Sequence, residues 1–307
     1  MENEYIKHIE GMDIKCFLVS ISNRIPHLHR DMEILFILDG SVIIKLADSQ
    51  HILKKNDIFL IERNEIHSLF RTDEDNLILA VQFDVNFCKT YFPAFSRIHF
   101  LDRHIIPSEQ PEGWGKLKTC IKGIIYAYSI KQSGYPLEIM SLLNSLCYNF
   151  ITLCRHEEMN EDIFALEERT TRRLSRIIEY IHNNYMNKVT LTDLAKKENL
   201  DMYYLSHFIK KSLGMSFQQY LNKVRLDKAT ELMLNTNRRK LDICLESGFS
   251  DYRYLTKAFV KEYGCSPSEY KIQYKNHKTH SQDQSNDDQH IVAGMELAFD
   301  RTMSYLK

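Results

Sequence analysis

The 307-residue sequence lacks several features that would assign it to a specialised class of protein. It contains no apolar run of eighteen or more residues, so it predicts no membrane-spanning helix and no membrane partner. Its first residues carry neither the basic nor the apolar region of a secretory signal, which predicts a cytoplasmic protein. Its seven cysteines are odd in number, scattered and without a Cys-x-x-Cys pair, which favours buried free thiols.

The chain also lacks an overall excess of one charge, since its formal net charge is -1. The charges are nevertheless divided unevenly. Residues 170–278 contain 20 Lys and Arg against 11 Asp and Glu, a net charge of +9, so the remainder carries -10. A basic region of this kind is suited to bind phosphate-rich partners. The alternative is that its charges only face solvent. The sequence therefore predicts a basic, nucleic-acid-binding domain joined to an acidic one.

A short helical plan occurs twice in the basic region, at residues 191–214 and again at 241–264. In each copy, the apolar spacing predicts a short amphipathic helix, a tight turn and a second helix that is polar on one side. Each copy ends at a glycine, Gly214 or Gly264, where a left-handed residue can stop a helix. This layout is that of a helix-turn-helix.

Residues that cap helix ends support the same assignment. Thr190 and Ser216 each precede a predicted helix, with a carboxylate or amide three residues further on. Asp201 and Ser250 are predicted to cap the second helices of the two copies. Residues 217–234 then predict one long helix, which would hold the two copies at a fixed separation.

Three motifs of the basic region are specific: Gly-Met-Ser-Phe-Gln-Gln-Tyr, Ser-Gly-Phe-Ser-Asp and Gly-Cys-Ser-Pro-Ser-Glu-Tyr. Over about a hundred residues, this region resembles the AraC/XylS family of transcription regulators. Ile209, Cys244 and Val260 depart from the family pattern, but all three are small or apolar and compatible with the fold. The resemblance implies an all-α tandem helix-turn-helix domain that binds double-stranded DNA, with transcription activation as the output and RNA polymerase as a further partner.

The resemblance also implies which side chains face the DNA, because the second helix of each unit enters a major groove. Lys210 and Lys211 are expected to meet phosphates or solvent. Core packing is the alternative for the tyrosines, including the neighbouring Tyr204 and Tyr254. The predicted DNA-binding residues are Tyr203, Ser206, His207 and Lys210 on the first unit, and Tyr252, Arg253, Thr256 and Lys257 on the second.

The acidic region begins with short apolar runs separated by turns, between residue 14 and about residue 84. The runs cover 14–21, 34–38, 42–46, 58–61 and 77–83, and Asp39-Gly40 is the turn between the second and third. Many short strands at this spacing predict a small β-barrel or jelly roll, whose interior can hold a ligand.

Within the predicted barrel lies the spacing His27-x-His29-x-x-x-Glu33, followed later by His67. It resembles the cupin pattern, which implies that these four side chains converge inside the barrel. Three imidazoles and a carboxylate suit Fe, Mn, Ni, Cu or Zn. Without a metal, the same groups can line a pocket for a sugar-like or other small polar effector. Purely structural roles are a third alternative; we predict ligand recognition, with no metal and no cofactor.

Two amphipathic patterns follow the predicted barrel, at residues 117–128 and 139–153, and Gly134-Tyr-Pro136 separates them. They predict an antiparallel pair of helices. In the family such helices commonly pair two subunits, so the resemblance implies a homodimer; packing on the barrel within one chain is the alternative.

These patterns predict an α+β protein of two domains, a cupin-like β-barrel with a helical pair and an all-α tandem helix-turn-helix. We expect a DNA-binding transcription regulator, not an enzyme, that is controlled by a small molecule in the barrel. The alternative is a metal-dependent cupin enzyme or a metal sensor fused to a DNA-binding domain. The predicted segments are residues 1–110 for the sensor barrel, 111–168 for dimerisation and an acidic hinge at 157–168, 169–276 for DNA binding, and 277–307 for a polar tail with a short helix.

Overall fold

The structure is a computed structural model that describes residues 12, 14–21 and 23–272. The described residues form two compact units, 12–171 and 172–272. Within the described ranges, no helix combines the length and hydropathy that crossing a membrane requires. The tail predicted at 277–307 lies outside the described residues.

The first unit begins with strands that pair into one antiparallel sheet. Their bounds are Ile14–Val19 (β1), Asn23–His27 (β2), Met32–Lys45 (β3), Gln50–Lys54 (β4), Ile58–Ile61 (β5), His67–Phe83 (β6), Ile98–Phe100 (β7) and His104–Ile105 (β8). The strand order is β1-β6-β3-β5-β8, with β2 also paired to β6 and β4 to β3. Strand β7 instead pairs with β9 (His156–Glu158). The α+β prediction is thus confirmed for this unit.

The predicted turn at Asp39-Gly40 is wrong, because both residues lie inside β3. The pairing of β3 with β6 shifts register on either side of this position, which is the mark of a β-bulge. Gly40 has φ +65°, and a Cβ there would overlap the carbonyl oxygen of Asp75. Glycine therefore lets two strands approach closely instead of reversing the chain.

The side chains of β3 alternate between two apolar cores. Ile34 and Phe36 pack with helices α1 (Pro111–Ile130) and α2 (Tyr135–Leu153). Leu35 and Ile37 pack on the opposite face, among residues of β1, β5 and β6. Because side chains two residues apart point the same way, Glu33 shares the face of Leu35 and Ile37. The candidate carboxylate therefore lies on the inner, apolar side of the sheet.

The predicted helical pair exists, but its apolar faces are occupied within the chain. Leu117, Ile121, Leu143 and Leu146 are all 0% exposed and belong to the core shared with the sheet. The prediction that these faces pair two subunits is wrong, and packing within one chain, the alternative, is what the structure has. Amphipathic spacing predicts that one face of a helix is buried, but it does not predict which surface buries that face.

The segment predicted as an acidic hinge, residues 157–168, has regular structure, and its role as a hinge stays a prediction. This segment forms β9 and the first turns of helix α3, which runs from Glu161 to Asn184. The boundary between the two compact units, after residue 171, falls inside that helix. Leu174, Ile177 and Ile181 are buried, as their spacing predicts.

The second unit continues with the helices Leu191–Glu198 (α4), Met202–Leu213 (α5), Phe217–Asn235 (α6), Lys240–Glu246 (α7) and Tyr252–Tyr263 (α8), and residues 267–272 are helical as well. The predicted caps Thr190, Asp201 and Ser216 are confirmed. The prediction for Ser250 is wrong, since the side chain of the next residue, Asp251, accepts the hydrogen bond at the start of α8.

All seven cysteines fall within the described part of the chain as free thiols. Six are buried and only Cys265 is partly exposed, in line with the sequence prediction. Burial raises the pKa of Cys16 and of Cys154 to about 12, so both thiols are uncharged at neutral pH.

Candidate functional site

Strand pairing brings the four predicted pocket residues together in the first unit. His27, the last residue of β2, lies directly opposite His67, the first residue of β6. Glu33, near the start of β3, lies opposite Gln82 near the end of β6. His29 follows β2 and reaches the same place from the connection to β3. We call His27, His29, Glu33 and His67 the histidine cluster.

Each imidazole of the histidine cluster is oriented by a main-chain carbonyl. A carbonyl oxygen only accepts hydrogen bonds, so Nδ1 of each ring carries the hydrogen and donates it. The Nε2 atoms are left for other partners, and the ligand atoms of the three histidines all lie within 4.8 Å of one another. The three pairs are His27 with Ile25 (3.0 Å), His29 with Asp31 (2.7 Å) and His67 with Glu65 (2.9 Å).

The carboxylate of Glu33 lies among these Nε2 atoms. Its Oε2 is 3.1 Å from Nε2 of His29 and 3.5 Å from Nε2 of His67. Its Oε1 accepts a hydrogen bond of 2.9 Å from the amide of Gln82. Nε2 of His67 is fully buried and makes no hydrogen bond within the described residues. The cluster thus contains a buried nitrogen that is aimed at a carboxylate and has no hydrogen-bond partner of its own there.

Burial and charge set the protonation of the cluster. Burial acts to lower the pKa of His29, but the hydrogen bond and charge of Glu33 outweigh it and raise that pKa. Burial acts to raise the pKa of Glu33, but the hydrogen bond from His29 and the charges of His29 and His67 hold it well below its usual range. Burial, Arg24 and the neighbouring histidines keep the pKa of His27 well below 6.5. The cluster therefore favours the charged form of Glu33 and the protonated form of His29 beside it, and disfavours protonation of His27.

This arrangement fits either of two kinds of ligand. A histidine that binds a metal through Nε2 normally donates its Nδ1 hydrogen to a carbonyl or carboxylate, as these histidines do. Three imidazoles and a carboxylate form a ligand set that suits transition metals. The same nitrogens and oxygens can also exchange hydrogen bonds with a hydroxylated molecule. A purely apolar ligand would leave these buried polar atoms unpaired, which is costly.

Gln82 is a member of this site that the sequence pattern missed. It is 1% exposed and holds Glu33 from the far end of β6. The available signal was a single amide within the otherwise apolar run of residues 77–83. An isolated polar residue in a buried strand must find a partner, so it marks a position next to another buried polar group.

The first predicted recognition helix, α5, presents its polar side outward. Tyr203 is 73% exposed and its ring lies 4.3 Å from that of His207. Ser206 and Lys210 are also exposed on this side. The opposite side, formed by Leu205 and other apolar residues, is buried. All four predicted side chains of α5 are therefore available to a partner.

The second predicted recognition helix, α8, is more mixed. Arg253 and Lys257 are exposed, whereas Tyr252 and Thr256 are half-buried. Tyr252 packs against the apolar core of the unit, as the core alternative had it. For Tyr254 that alternative is wrong, because the residue is 63% exposed.

Asp251 was missed by the sequence prediction and has two roles at the start of α8. Its carboxylate accepts a hydrogen bond from the main-chain N–H of Arg253 and pairs with the guanidinium of the same residue at 2.9 Å. The side-chain hydrogen bond to Arg253 holds the pKa of Asp251 below its usual value.

Two protein-family descriptions match the chain in separate places. Residues 22–146 match an AraC-like ligand binding domain, and residues 194–273 match a helix-turn-helix domain. The first match contains the histidine cluster, and the second contains α5 and α8.

Known relatives span most of the chain. An uncharacterised HTH-type transcriptional regulator of Escherichia coli, YdiP, is 24% identical over 81% of this chain and 82% of its own length. The lactose operon transcription activator of Staphylococcus xylosus is 26% identical over 76% of this chain and 81% of its own length. Among solved structures, the C-terminal domain of the response regulator yesN from Fusobacterium nucleatum is 34% identical, covering 33% of this chain and 98% of that domain, with a TM-score of 0.32.

A ligand-binding sheet domain followed by two helix-turn-helix units defines a DNA-binding transcription regulator. This chain belongs to the AraC family of such regulators. The predicted fold class and family are thereby confirmed.

Proposed function

We propose that this chain binds specific DNA sequences through α5 and α8, and that a small molecule bound at the histidine cluster changes that binding. The observation that carries the proposal is the cluster itself. Four polar side chains converge on the inner side of the sheet, Glu33 and His67 buried and His27 and His29 half-buried, and Nε2 of His67 makes no hydrogen bond among the described residues. Burying such groups is unfavourable for stability, so their retention supports a binding role.

The finer parts of the proposal follow from the relatives and from the site. The Staphylococcus xylosus relative is named as an activator of a lactose operon, which supports activation through RNA polymerase and makes sugars the first effectors to test. A regulator of this kind works on the chromosome, so the cytoplasm remains the expected location. A homodimer also remains a prediction, and it would need a surface other than the buried faces of α1 and α2.

The test of this function starts from DNA selected in vitro out of a random pool by the purified wild-type protein. Glu33→Gln keeps the shape of the side chain but removes the charge that faces His29. We expect this variant still to bind the selected DNA without an effector, and to lose the response to whichever sugar alters wild-type binding. His51→Gln, a histidine outside the cluster, is the matched control. Failure of the wild-type protein to select any sequence would refute the proposal.

A metal-responsive regulator is the second candidate, because all three Nδ1 atoms are already fixed to carbonyls and the three imidazoles offer ligand atoms within 4.8 Å of one another. Elemental analysis and titration with Zn²⁺, Mn²⁺, Fe²⁺ and Ni²⁺ test it. Binding of one ion per chain that is lost in His29→Ala and retained in His51→Gln would favour a metal site. A stoichiometric redox metal would favour the cupin-enzyme alternative, whereas full DNA binding by a metal-free preparation would count against it.

A further inference from the structure

The turn between β5 and β6, residues 62–66, contacts the histidine cluster through its main chain. We call it the β5–β6 turn. The N–H of Asn64 donates a hydrogen bond of 2.7 Å to the carbonyl oxygen of His29. The carbonyl oxygen of Glu65 accepts the hydrogen bond of 2.9 Å from Nδ1 of His67. The turn therefore holds the backbone beside one imidazole and the ring of another.

The side chains of the same turn contact helix α3. Nη1 of Arg63 lies 2.7 Å from Oε1 of Glu168, and the side-chain amide of Asn64 donates to the same oxygen at 3.0 Å. The guanidinium of Arg63 also lies over the ring of Phe164, 4.5 Å from its centroid. Arg63 and Glu168 are only 16% and 21% exposed, so solvent screens this ion pair less than one at the open surface.

Two carboxylates, Glu62 and Glu65, brace the turn. The carboxylate of Glu65 accepts hydrogen bonds from the N–H of Glu62 at 3.1 Å and from Arg103 at 2.6 Å. The carboxylate of Glu62 in turn accepts hydrogen bonds from the N–H of Phe100 and, at 2.9 Å, from His99. These bonds tie the two ends of the turn to each other and to residues 99–103.

We propose that the β5–β6 turn couples the state of the histidine cluster to helix α3, with Glu168 as the positioning residue that receives the signal. The inference rests on the proposed function, because it assigns the route by which the cluster controls DNA binding. Helix α3 begins in the first compact unit and continues, from residue 172, into the helix-turn-helix unit. A ligand that favours one position of His29 and His67 favours one position of the turn, and thereby one environment of Glu168. Coupling of this kind requires the ligand to bind the two arrangements with different affinity.

The test measures amide hydrogen exchange of residues 161–171 in the full-length protein. Glu33→Gln serves as the disturbance of the cluster, so the experiment needs no knowledge of the effector. We expect Glu33→Gln to change exchange in this segment by about fivefold or more in the otherwise wild-type chain. In the Glu168→Ala background the change should fall below about twofold, because the carboxylate that both side chains of the turn contact is gone. In the Asn64→Gly background it should fall only in part, because Arg63 still pairs with Glu168. Asn64 has φ 62°, which glycine adopts freely, so Asn64→Gly removes the amide without straining the turn.

Glu161→Ala is the matched control background. Glu161 lies on the same helix and forms an ion pair with Arg97, which is outside the β5–β6 turn. The effect of Glu33→Gln should persist there. An effect of equal size in all four backgrounds, or no effect on residues 161–171 in any of them, would overturn the proposal.

DNA binding by the same variants separates this inference from the proposed function. With DNA selected by the wild-type protein and an effector that alters its binding, Glu168→Ala should abolish the response and Glu161→Ala should keep it. An intact response in Glu168→Ala would contradict the coupling route alone. Absence of any sequence-selective binding by the wild type would contradict the proposed function, and the exchange measurement would still decide whether the turn is coupled to α3.

Discussion

In the first helix-turn-helix unit, Asn199 makes the turn between the two helices, whereas the second unit makes it with Ser247 and Gly248. Asn199 has φ 52°, and its N–H bonds back to the last carbonyls of α4. Ser247 is 0% exposed and its hydroxyl donates to carbonyl oxygens of α7. Gly248 has φ +79°, and a Cβ there would overlap the carbonyl oxygen of Tyr185. The first turn is held by local bonds, while the second is also packed against the segment that follows α3.

Arg225 on α6 explains the difference. Its Nε donates to the carbonyl oxygen of Tyr185 at 2.8 Å, and its Nη2 donates to that of Asn187 at 2.9 Å. The same Nε lies 3.0 Å from the place that a Cβ on Gly248 would take. The long central helix thus fixes the second turn through tertiary contacts. Two units with the same sequence pattern are therefore held by different contacts, local hydrogen bonds in the first turn and tertiary contacts in the second.

The exposed faces of the two recognition helices, α5 and α8, also differ. In the first unit, the rings of Tyr203 and His207 pack against each other. In the second unit, Arg253 is 88% exposed along its side chain and pairs with the helix-capping Asp251. A guanidinium held near the start of a recognition helix is suited to donate two parallel hydrogen bonds to a guanine edge. We therefore expect the second unit to contribute more to base discrimination.

The largest effect is expected at the second turn. Gly248→Ala must place a side chain in the left-handed region and against a main-chain oxygen, so it should lower the free energy of unfolding by about 3 kcal/mol or more. Gly214→Ala is the matched control, since Gly214 has a similar φ of +68° but no neighbour within 4 Å of the added carbon. It should cost only about 1 kcal/mol. Urea denaturation measures both losses, and equal losses would mean that the turn is not packed as described.

Acid should weaken the second compact unit through His182. Burial lowers the pKa of His182 to about 4, and its Nε2 lies 3.2 Å from the hydroxyl of Tyr220. In the unfolded chain the same group titrates near 6.5. Between these two values only the unfolded chain binds the proton, so the free energy of unfolding should fall by about 2 to 3 kcal/mol as pH drops from 6.5 to 4.

His182→Phe should remove that part of the pH dependence, and His207→Gln, at an exposed histidine, should leave it unchanged. Denaturation of each variant at several pH values gives the comparison. The contacts of Arg225 carry no group that titrates in this range, so acid should loosen the His182 contact and spare the second turn. An identical slope in wild type and His182→Phe would contradict the assignment.

Arg253→Ala should cost about 1 to 3 kcal/mol of binding to the preferred DNA and flatten discrimination at one base pair. Unfolding should be almost unaffected because the side chain is exposed. Binding curves on the selected site, on single-base variants and on random duplex measure these effects. Uniform weakening on every duplex would make Arg253 a phosphate contact instead.

Lys211→Ala, on the first unit, is expected to have the smallest effect. It should weaken all duplexes alike and reduce the salt dependence of binding by about one phosphate contact. Loss of discrimination at a particular base pair in this variant would contradict the expectation that the second unit contributes more to base discrimination.

The helices of the second unit were predictable because their signals are local. Caps such as Thr190 and Asp201 act within a few residues, and the left-handed Gly214 and Gly264 end their helices where the spacing predicts. The shift from Ser250 to Asp251 as cap was not predictable, because both residues can cap and the choice depends on how the chain enters α8.

The first unit was harder to predict because its structure depends on distant partners. The spacing of His27, His29 and Glu33 anticipated a cluster, and strand pairing produced it. The carbonyl that orients each imidazole is set by the local path of the backbone, which spacing alone does not give. The same holds for the face of α2 that includes Leu143. Its apolar spacing predicts that the face is buried, but not which surface it packs against.

The burial of most of the cysteines favours selective labelling of the natural protein for spectroscopy. Thiol-reactive dyes attack exposed thiolates, and six of the seven cysteines, all within the described part of the chain, are buried. Cys265 directly follows Gly264, the residue that ends α8. We expect Cys265 to be the first cysteine that such a dye labels, which would place a fluorophore beside the second recognition helix without an engineered cysteine.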